Sequence, residues 1–364
     1  MRIGRVAVAA MVAGVAVLAL RQPVTAASAA KRRALAAQGP ETATQSAGNG
    51  IYTVYVEDSG NTGLYTATTG PSHPAGNGLN VFYGDGDPGT TFNTIRSYTS
   101  GTDYVQRSGV SSGNTVVELF PFGSVSPIGS TGYRTTYNIT SPDALTIIQD
   151  VNVNGTTFDN SSVSVTTTVQ NNGAGPVQIG IRYLWDYEIG DDDGPTFQAI
   201  TPNGPVLLTE AEFDPPGFVQ YRIVDNDNNP NPPTFFIFGT ATGPSSLVPM
   251  PTVPGRLQYA SWEDSVDTAF DYAVDPSLDI ASESLGVDDS AVLYYFGPTR
   301  QSAITIPAGG SASVTALAFL SSSSEPPGGG AKQAPALGAV GLAIVAGFML
   351  LLGVGTLSHR KPAR

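Results

Sequence analysis

Two short segments of the sequence concentrate carboxylate and amide side chains in the manner of a cation-binding loop. Asp191, Asp192 and Asp193 stand directly before a glycine, which favours a tight turn. A second segment places oxygen-bearing side chains at alternate positions from residue 225 to residue 229. Calcium takes about six to eight oxygen ligands, and alternate residues of a tight loop can point inward together. The candidate ligands are Asp191, Asp193, Asp225, Asp227 and Asn229.

A second interpretation of these acids needs no metal. Pro230 stands where a calcium-binding EF-hand loop has glycine, and no glutamate follows at the twelfth position, so that motif is excluded. Asp and Asn also form turns by hydrogen bonding to their own backbone. Calcium binding and turn formation both stay open, and the sequence predicts no required cofactor.

Carboxylates could also act on glycosides. Glycoside hydrolysis uses two carboxyl groups separated by about 5–5.5 Å or about 6.5–9.5 Å. The natural candidates are Glu188, Glu210, Glu212 and Glu263. An enzyme of this kind is the less favoured expectation, because so many acids are present that some pair reaches that distance by chance.

Aromatic side chains offer either a sugar-stacking surface or a hydrophobic core. The candidates are Trp185, Tyr187, Tyr221, Tyr259, Trp262, Tyr272, Tyr294 and Tyr295. Strand aromatics commonly pack across a sheet, so the core interpretation is favoured. A glycan site needs a concave face, and that hypothesis fails if both tryptophans are buried and no groove exists.

Composition excludes several classes of chemistry. The chain has no cysteine, so disulfides, thiolate metal sites and cysteine nucleophiles are excluded. Its two histidines are His73 and His359, so a serine–histidine–aspartate triad would depend on His73 alone. Residues 49–322 hold seven arginines, no lysine and 28 of the 30 acids, a formal charge of −21. Such a surface repels phosphate backbones, so nucleic acid is not an expected partner.

The N-terminus has the pattern of a secretory signal peptide. Arg2 and Arg5 precede the uncharged run Val6–Leu20, and small residues follow at Val24-Thr25-Ala26 and at Ala27-Ser28-Ala29, either of which suits signal peptidase. Fifteen helical residues span roughly 22 Å, which is short of the ~30 Å hydrocarbon core. An uncleaved anchor is the alternative.

The C-terminus has the pattern of a membrane helix. Leu337–Leu357 carries no charge and is long enough to span a bilayer. Arg360 and Lys361 follow it, and positive charge after the span keeps the tail in the cytoplasm. The sequence therefore predicts an exported protein, anchored by a single pass or held at the cell surface, with its body outside the cytoplasm.

This tail resembles the C-terminal sorting signals of bacterial surface proteins, of the Ile-Pro-Thr-Leu and Pro-Glu-Pro types. The matching residues are Pro335, Leu337, Gly341, Leu342 and Ala343, followed by the basic Arg360 and Lys361. Ala334 and Ala336 depart from the pattern. The resemblance implies a membrane protease-transpeptidase as partner. A permanent membrane anchor is the alternative.

The body of the chain reads as strand after strand, rich in Val, Ile, Thr, Tyr and Phe. The predicted strands are Ile51–Val56, Leu64–Thr68, Leu79–Tyr83, Thr115–Phe120, Arg134–Ile139, Leu145–Val153, Val163–Gln170, Val177–Tyr187, Phe218–Val224, Thr234–Gly239, Arg256–Ser261, Ala291–Phe296 and Ser311–Phe319. The alternating runs on either side of Asn171-Asn172-Gly173 predict a hairpin.

The predicted fold class is all-β: one large antiparallel β-sandwich, with an N-terminal signal peptide and one C-terminal transmembrane helix. A two-lobed arrangement is the second choice. The predicted boundaries are a signal peptide over 1–30, a linker over 31–49, an acidic β-sandwich domain over 50–320, a Ser/Pro/Gly-rich stalk over 321–335, a transmembrane helix or sorting signal over 336–358, and a basic cytoplasmic tail over 359–364.

The body also resembles uncharacterised bacterial surface β-sandwich proteins, over roughly residues 160–320. The matching segments are Asn171-Asn172-Gly173, Ile181–Asp186, Gly190–Phe197, Asp289–Tyr295 and Ile306–Gly310. The resemblance implies a fold and a surface location. The leading expectation is a non-enzymatic protein with a structural or adhesive role at the bacterial envelope, with a surface glycan or envelope protein as partner. The alternative is a carbohydrate-binding or carbohydrate-processing sandwich domain.

Overall fold

Strands dominate the computed structural model, which describes residues 44–321 apart from 191, 202–203, 225–235, 243–246 and 283–286. In chain order they are β1 (Thr44–Gly48), β2 (Tyr52–Glu57), β3 (Tyr65–Thr69), β4 (Asn80–Phe82), β5 (Phe92–Ser97), β6 (Thr102–Val105), β7 (Thr115–Glu118), β8 (Gly123–Ile128), β9 (Gly132–Ile139), β10 (Leu145–Asn154), β11 (Ser162–Asn171), β12 (Val177–Gly190), β13 (Thr196–Ala199), β14 (Val206–Leu207), β15 (Ala211–Phe213), β16 (Gln220–Val224), β17 (Phe236–Thr240), β18 (Arg256–Ser261), β19 (Ala281–Ser282), β20 (Val287–Asp288), β21 (Ser290–Phe296), β22 (Ile304–Ile306) and β23 (Ser311–Ser321).

The strands form two large sheets. The first has the order β1-β2-β3-β4-β12-β21-β18-β15; β5 and β22 also pair with β12, and β6 and β7 extend the sheet from β5. The second has the order β14-β13-β16-β17-β23-β11-β10-β9-β8, and β19 and β20 form a separate pair. Pairing is antiparallel except between β6 and β7. The all-β prediction is confirmed.

The two sheets share one hydrophobic core. Phe82 of the first sheet and Phe319 of the second meet edge to face, with ring centroids 5.5 Å apart. Trp185 of β12 is fully buried, and its indole Nε1 donates to the hydroxyl of Tyr65 at 3.0 Å. The predicted strands therefore bury their β-branched and aromatic residues between the sheets.

A polar network crosses this core. Gln149 of β10 accepts from Asn93 Nδ2 and Gln106 Nε2, each at 2.6 Å, and donates to the carbonyl of Gly63 at 2.8 Å. Gln106 also donates to the hydroxyl of Tyr137 at 2.9 Å. Because hydrogen bonds are directional, the network fixes the position of one sheet relative to the other.

The predicted hairpin around Asn171-Asn172-Gly173 is wrong. β11 pairs with β10 and β23 in the second sheet, whereas β12 pairs with β5 and β21 in the first. Asn171 supports this crossover, because its Nδ2 donates to the carbonyls of Gly175 at 2.8 Å and Ile306 at 3.1 Å. Alternation predicts a strand but does not say which sheet the strand joins.

The outer face of the first sheet has a cover of its own. Residues 262–272 begin with the short helix α1 (Trp262–Ser265) and lie over β5, β12 and β21. Trp262, Val266 and Phe270 are buried there against Phe92 and Leu293. As a result, the middle of β12 is buried on both faces.

Several observed strands lie outside the predicted set. β1 falls within the stretch assigned to a linker and pairs with β2 along its whole length. β5 and β6 lie outside the predicted strands because they contain Asn and Asp, which are depleted in strands.

In the described part of the chain, no helix is long and apolar enough to cross a membrane. The predicted signal peptide and membrane helix lie outside the described residues and stay predictions.

Candidate functional site

A pocket of about 320 Å³ opens between β5 and the cover of the first sheet. We call it the Arg96 pocket. It is lined by Arg96, Ser111, Ser112, Gly113, Thr268, Phe270 and Asp271.

Two chain segments far apart in sequence form its walls. The backbone of Ser111 donates to the carbonyl of Asp267 at 2.7 Å and accepts from Ala269 N at 2.8 Å. These bonds pair residue 111 with Thr268 in a parallel bridge. The walls are therefore fixed by backbone hydrogen bonds.

Arg96 is the central charged group of the pocket. Its Nε and Nη2 donate to the two carboxylate oxygens of Asp103 at 2.7 and 2.8 Å. This pairing follows from the register, because Arg96 and Asp103 stand opposite each other on β5 and β6. The guanidinium also lies over the ring of Phe270, 4.4 Å from its centroid. Its orientation is therefore set before any ligand enters.

The remaining nitrogen of the guanidinium, Nη1, bonds a residue at the solvent-exposed rim of the pocket. Arg96 Nη1 donates to Asp271 Oδ2 at 2.5 Å, and the side chain of Asp271 is 75% exposed. Burial alone would lower the pKa of Arg96, but its hydrogen bonds to Asp103 and Asp271 outweigh burial and raise that pKa above its ordinary value. Asp103 is fully buried, so the two aspartates differ sharply in how firmly they are held.

A second arginine lies under the pocket. Arg182 of β12 is fully buried and donates to Thr268 Oγ1 at 2.8 Å and to the carbonyl of Ser265 at 3.2 Å. Its Nε has no hydrogen-bond partner among the described residues. Burial lowers the pKa of Arg182, and the charges of Asp103 and Asp271 act in the opposite direction.

Three acidic residues and one asparagine stand at the other end of β12. We call Asn80, Asp85, Glu188 and Asp193 the acid edge. Asn80 Nδ2 donates to Glu188 Oε2 at 2.9 Å and to Asp85 Oδ1 at 2.8 Å. Burial, and then the charge of Asp193, raises the pKa of Glu188 to about 8. At neutral pH this carboxyl holds its proton.

The acid edge and the Arg96 pocket are separate. Arg96 stands opposite Gly180 on β12, eight residues before Glu188. At ~3.3 Å per residue the two places are about 26 Å apart.

Two of the other predicted glutamates, Glu210 and Glu212, have structural contacts. Glu210 is buried and accepts from Ser261 N at 2.6 Å and from the hydroxyl of Tyr272 at 2.5 Å. Glu212 accepts from Gln258 Nε2 at 2.7 Å. These contacts tie β15 and the cover to β18.

Of the predicted calcium ligands, only Asp193 is described, at the acid edge. Asp191, Asp225, Asp227 and Asn229 lie outside the described residues, as do the sorting residues Pro335, Leu337, Gly341, Leu342, Ala343, Arg360 and Lys361. Within the described ranges, no group of three or more acidic or histidine side chains is placed to hold a metal ion. Calcium therefore stays a prediction.

His73 lies in the core. Its ring packs against Tyr52 and Phe158, with centroids 5.3 and 5.0 Å apart, and burial lowers its pKa to about 4. It lines no part of the Arg96 pocket.

The aromatic residues are used mainly as core. Trp185 and Trp262 are both fully buried, as are Tyr187, Tyr221 and Tyr259. The core interpretation is confirmed for these residues. A concave site does exist, but it presents charged and hydroxyl groups in place of an aromatic platform.

Comparison with known proteins adds a structural likeness. No family model and no curated protein matches the chain. Similar solved structures include a putative aldose 1-epimerase from Escherichia coli K12, with a TM-score of 0.45 and 10% identity over 76% of this chain and 97% of that chain. A galactose mutarotase-like protein from Lactobacillus casei ATCC 334 has a TM-score of 0.44 and 10% identity over 76% and 99%. A protein from Synechocystis sp. PCC 6803 has a TM-score of 0.45 and 10% identity over 78% and 96%.

This comparison corrects the leading expectation. The leading expectation of a non-enzymatic structural or adhesive role has no counterpart among these structures, two of which are named as an epimerase and as mutarotase-like, and it is not carried further. At 10% identity and these TM-scores the likeness assigns no role to any residue of this chain. The function proposed below is therefore argued from the pocket itself.

Proposed function

We propose that the chain binds carbohydrate in the Arg96 pocket. The observation that carries the proposal is the pattern of hydrogen-bond donors and acceptors on the pocket walls. Sugars are small ligands covered with hydroxyl groups, so a sugar site needs several converging acceptors and a few fixed donors.

The hydroxyl hydrogens of the walls are committed within the protein. Ser111 Oγ donates to the carbonyl of Asp267 at 2.8 Å, and Ser112 Oγ donates to Asp103 Oδ2 at 2.5 Å. Thr268 Oγ1 donates to the carbonyl of Ser265 at 2.8 Å. A hydroxyl oxygen keeps two acceptor lone pairs after donating its hydrogen. Thr268 Oγ1 uses one of them to accept from Arg182 Nη1, and Ser112 Oγ uses one to accept from Asn114 N at 2.9 Å. The walls therefore offer acceptors to a ligand that brings hydroxyl donors.

The pocket also has a fitting size. Small-molecule sites occupy roughly 300–1,000 Å³, and the 320 Å³ of the Arg96 pocket lies at the lower end of that range. A monosaccharide, or one residue of a glycan, matches such a volume. The hydroxyl groups and Arg96 of the pocket support carbohydrate binding, which is one part of the carbohydrate alternative.

Isothermal titration calorimetry on the full chain tests the proposal. The protein is kept in a detergent without a sugar headgroup, and the ligands are glucose, galactose, N-acetylglucosamine and glucuronate. At least one of these sugars is expected to bind saturably at one site. Absence of saturable heat for all four would refute carbohydrate binding at this pocket.

Filling the pocket locates the site. A Cβ added at Gly113 meets no atom within 4 Å, and the same holds at Gly175, which does not line the pocket. Gly113→Trp is expected to abolish sugar binding, while the matched control Gly175→Trp leaves it intact. Equal binding by both variants would place the sugar elsewhere.

A further inference from the structure

The charges around the Arg96 pocket indicate which class of sugar it takes, an inference that rests on the proposed function. Arg96 and Arg182 bring two positive charges to the pocket and its floor. Asp103, the buried carboxylate, balances one of them. The second counter-charge comes from Asp271 at the rim, whose side chain is 75% exposed. The buried part of the site therefore carries one excess positive charge.

Asp271 is a replaceable partner. It contacts Arg96 through Nη1 alone, at 2.5 Å, whereas Asp103 holds both Nε and Nη2. An ion pair with a largely exposed partner contributes little net stability, because water solvates the free carboxylate well. A carboxylate inside the pocket would meet the same Nη1 with less water around it and would bind it more strongly.

The remaining walls favour a ligand that also carries hydroxyls. Ser111 and Ser112 present acceptor lone pairs, as argued above, and Arg96 Nη1 presents a fixed donor. A ligand that fits both kinds of group has several hydroxyls and one carboxylate. Guanidinium groups are well matched to carboxylates in charge and geometry.

We propose that the Arg96 pocket binds a hexuronic acid or a uronate residue of a glycan, whose carboxylate takes the place of Asp271 on Nη1 of Arg96. The net negative charge of the domain does not prevent an acidic sugar from binding in the pocket. Its distant carboxylates are screened beyond about 8 Å at physiological ionic strength, whereas the arginines of the pocket lie next to the ligand.

The test compares glucuronate with glucose on the full chain and on two variants. Asp271→Asn removes the negative charge of the internal competitor, and Asp264→Asn removes one negative charge from α1, away from the pocket lining. Wild-type protein is expected to bind glucuronate at least tenfold more tightly than glucose. Asp271→Asn is expected to raise the affinity for glucuronate severalfold relative to the affinity for glucose. Asp264→Asn is expected to change neither.

The outcomes separate this inference from the function on which it rests. If glucose binds as tightly as glucuronate, or if Asp271→Asn weakens glucuronate binding, the ligand class is wrong while carbohydrate binding stands. If neither sugar nor any other member of the panel binds, the proposed function is wrong and this inference falls with it. Thermal unfolding of the variants checks that each is folded, which is expected because Asp271 is exposed.

Discussion

Replacing Glu188 by glutamine is expected to stabilise the fold by an amount that grows with pH. Burial and the charge of Asp193 raise the pKa of Glu188 from 4.5 to about 8. The folded protein therefore keeps a proton that the unfolded chain loses above about pH 4.5. Stability from this group is present below that pH and is lost as the pH rises toward 8. Glutamine stays neutral at every pH and still accepts from Asn80.

The magnitude follows from the size of the shift. One pKa unit corresponds to about 1.4 kcal/mol, so a shift from 4.5 to about 8 amounts to at most about 5 kcal/mol over the whole window. Between pH 5.5 and 7.5 the free energy of unfolding of Glu188→Gln, minus that of the wild type, should rise by about 1.4 kcal/mol per pH unit.

Urea unfolding at pH 5.5, 6.5 and 7.5 measures this difference. Other titrating groups, including Glu57, are common to both proteins and cancel in the subtraction. Glu118→Gln on β7 is the matched control for the removal of one carboxylate away from the acid edge. A difference between Glu188→Gln and wild type that stays constant with pH would refute the reasoning about the acid edge.

Three further perturbations test the core and the cover. Burial lowers the pKa of His73 to about 4. The free energy of unfolding of the wild type should therefore fall as the pH drops from about 6.5 toward 4. In urea unfolding, the free energy of unfolding of His73→Gln should fall by about 1 kcal/mol less per pH unit over that range. Arg182→Met removes the donors that hold the cover and is expected to cost about 2–4 kcal/mol; denaturant midpoints measure this, and an unchanged midpoint would show that the cover does not need the buried charge. Gly239→Ala would place a Cβ 1.9 Å from the ring of Tyr221 and should lower the melting temperature by several degrees, whereas Gly175→Ala, with open space around it, should not; equal melting temperatures would contradict the packing.

The long strands could be predicted from the sequence, because their residue types report on burial. Val177–Gly190 and Ser311–Ser321 are found where β-branched and aromatic residues are dense. β5 contains Asn, Thr and Arg and was missed, although its residues are buried. Its polar side chains form hydrogen bonds with residues far away in the sequence, as Asn93 does with Gln149. No local sequence pattern predicts such partners.

The Arg96 pocket could not be predicted in the same way. Arg96 and Asp103 meet because β5 and β6 pair, and Asp271 joins them from 175 residues away. One signal was present in the sequence: the domain has only seven arginines and no lysine, so each arginine is worth examining for a specific partner. The acids of segments 191–193 and 225–229 form dense local patterns that a sequence shows directly. The pocket is built from single residues that are far apart in the chain, and these form no local pattern.

The position of β23 sets the order in which this domain can be completed. This strand, the last of those described in chain order, lies in the interior of the second sheet, between β17 and β11. Ser321 at its end also bonds the hydroxyl of Tyr52, 269 residues earlier. During synthesis two groups of the second sheet emerge long before the strand that joins them: β8 to β11, and β13, β14, β16 and β17. Each group therefore carries an unpaired strand edge on the nascent chain. Such edges pair readily with other chains. This architecture therefore leaves two strand edges open on the nascent chain until β23 is available to pair with both.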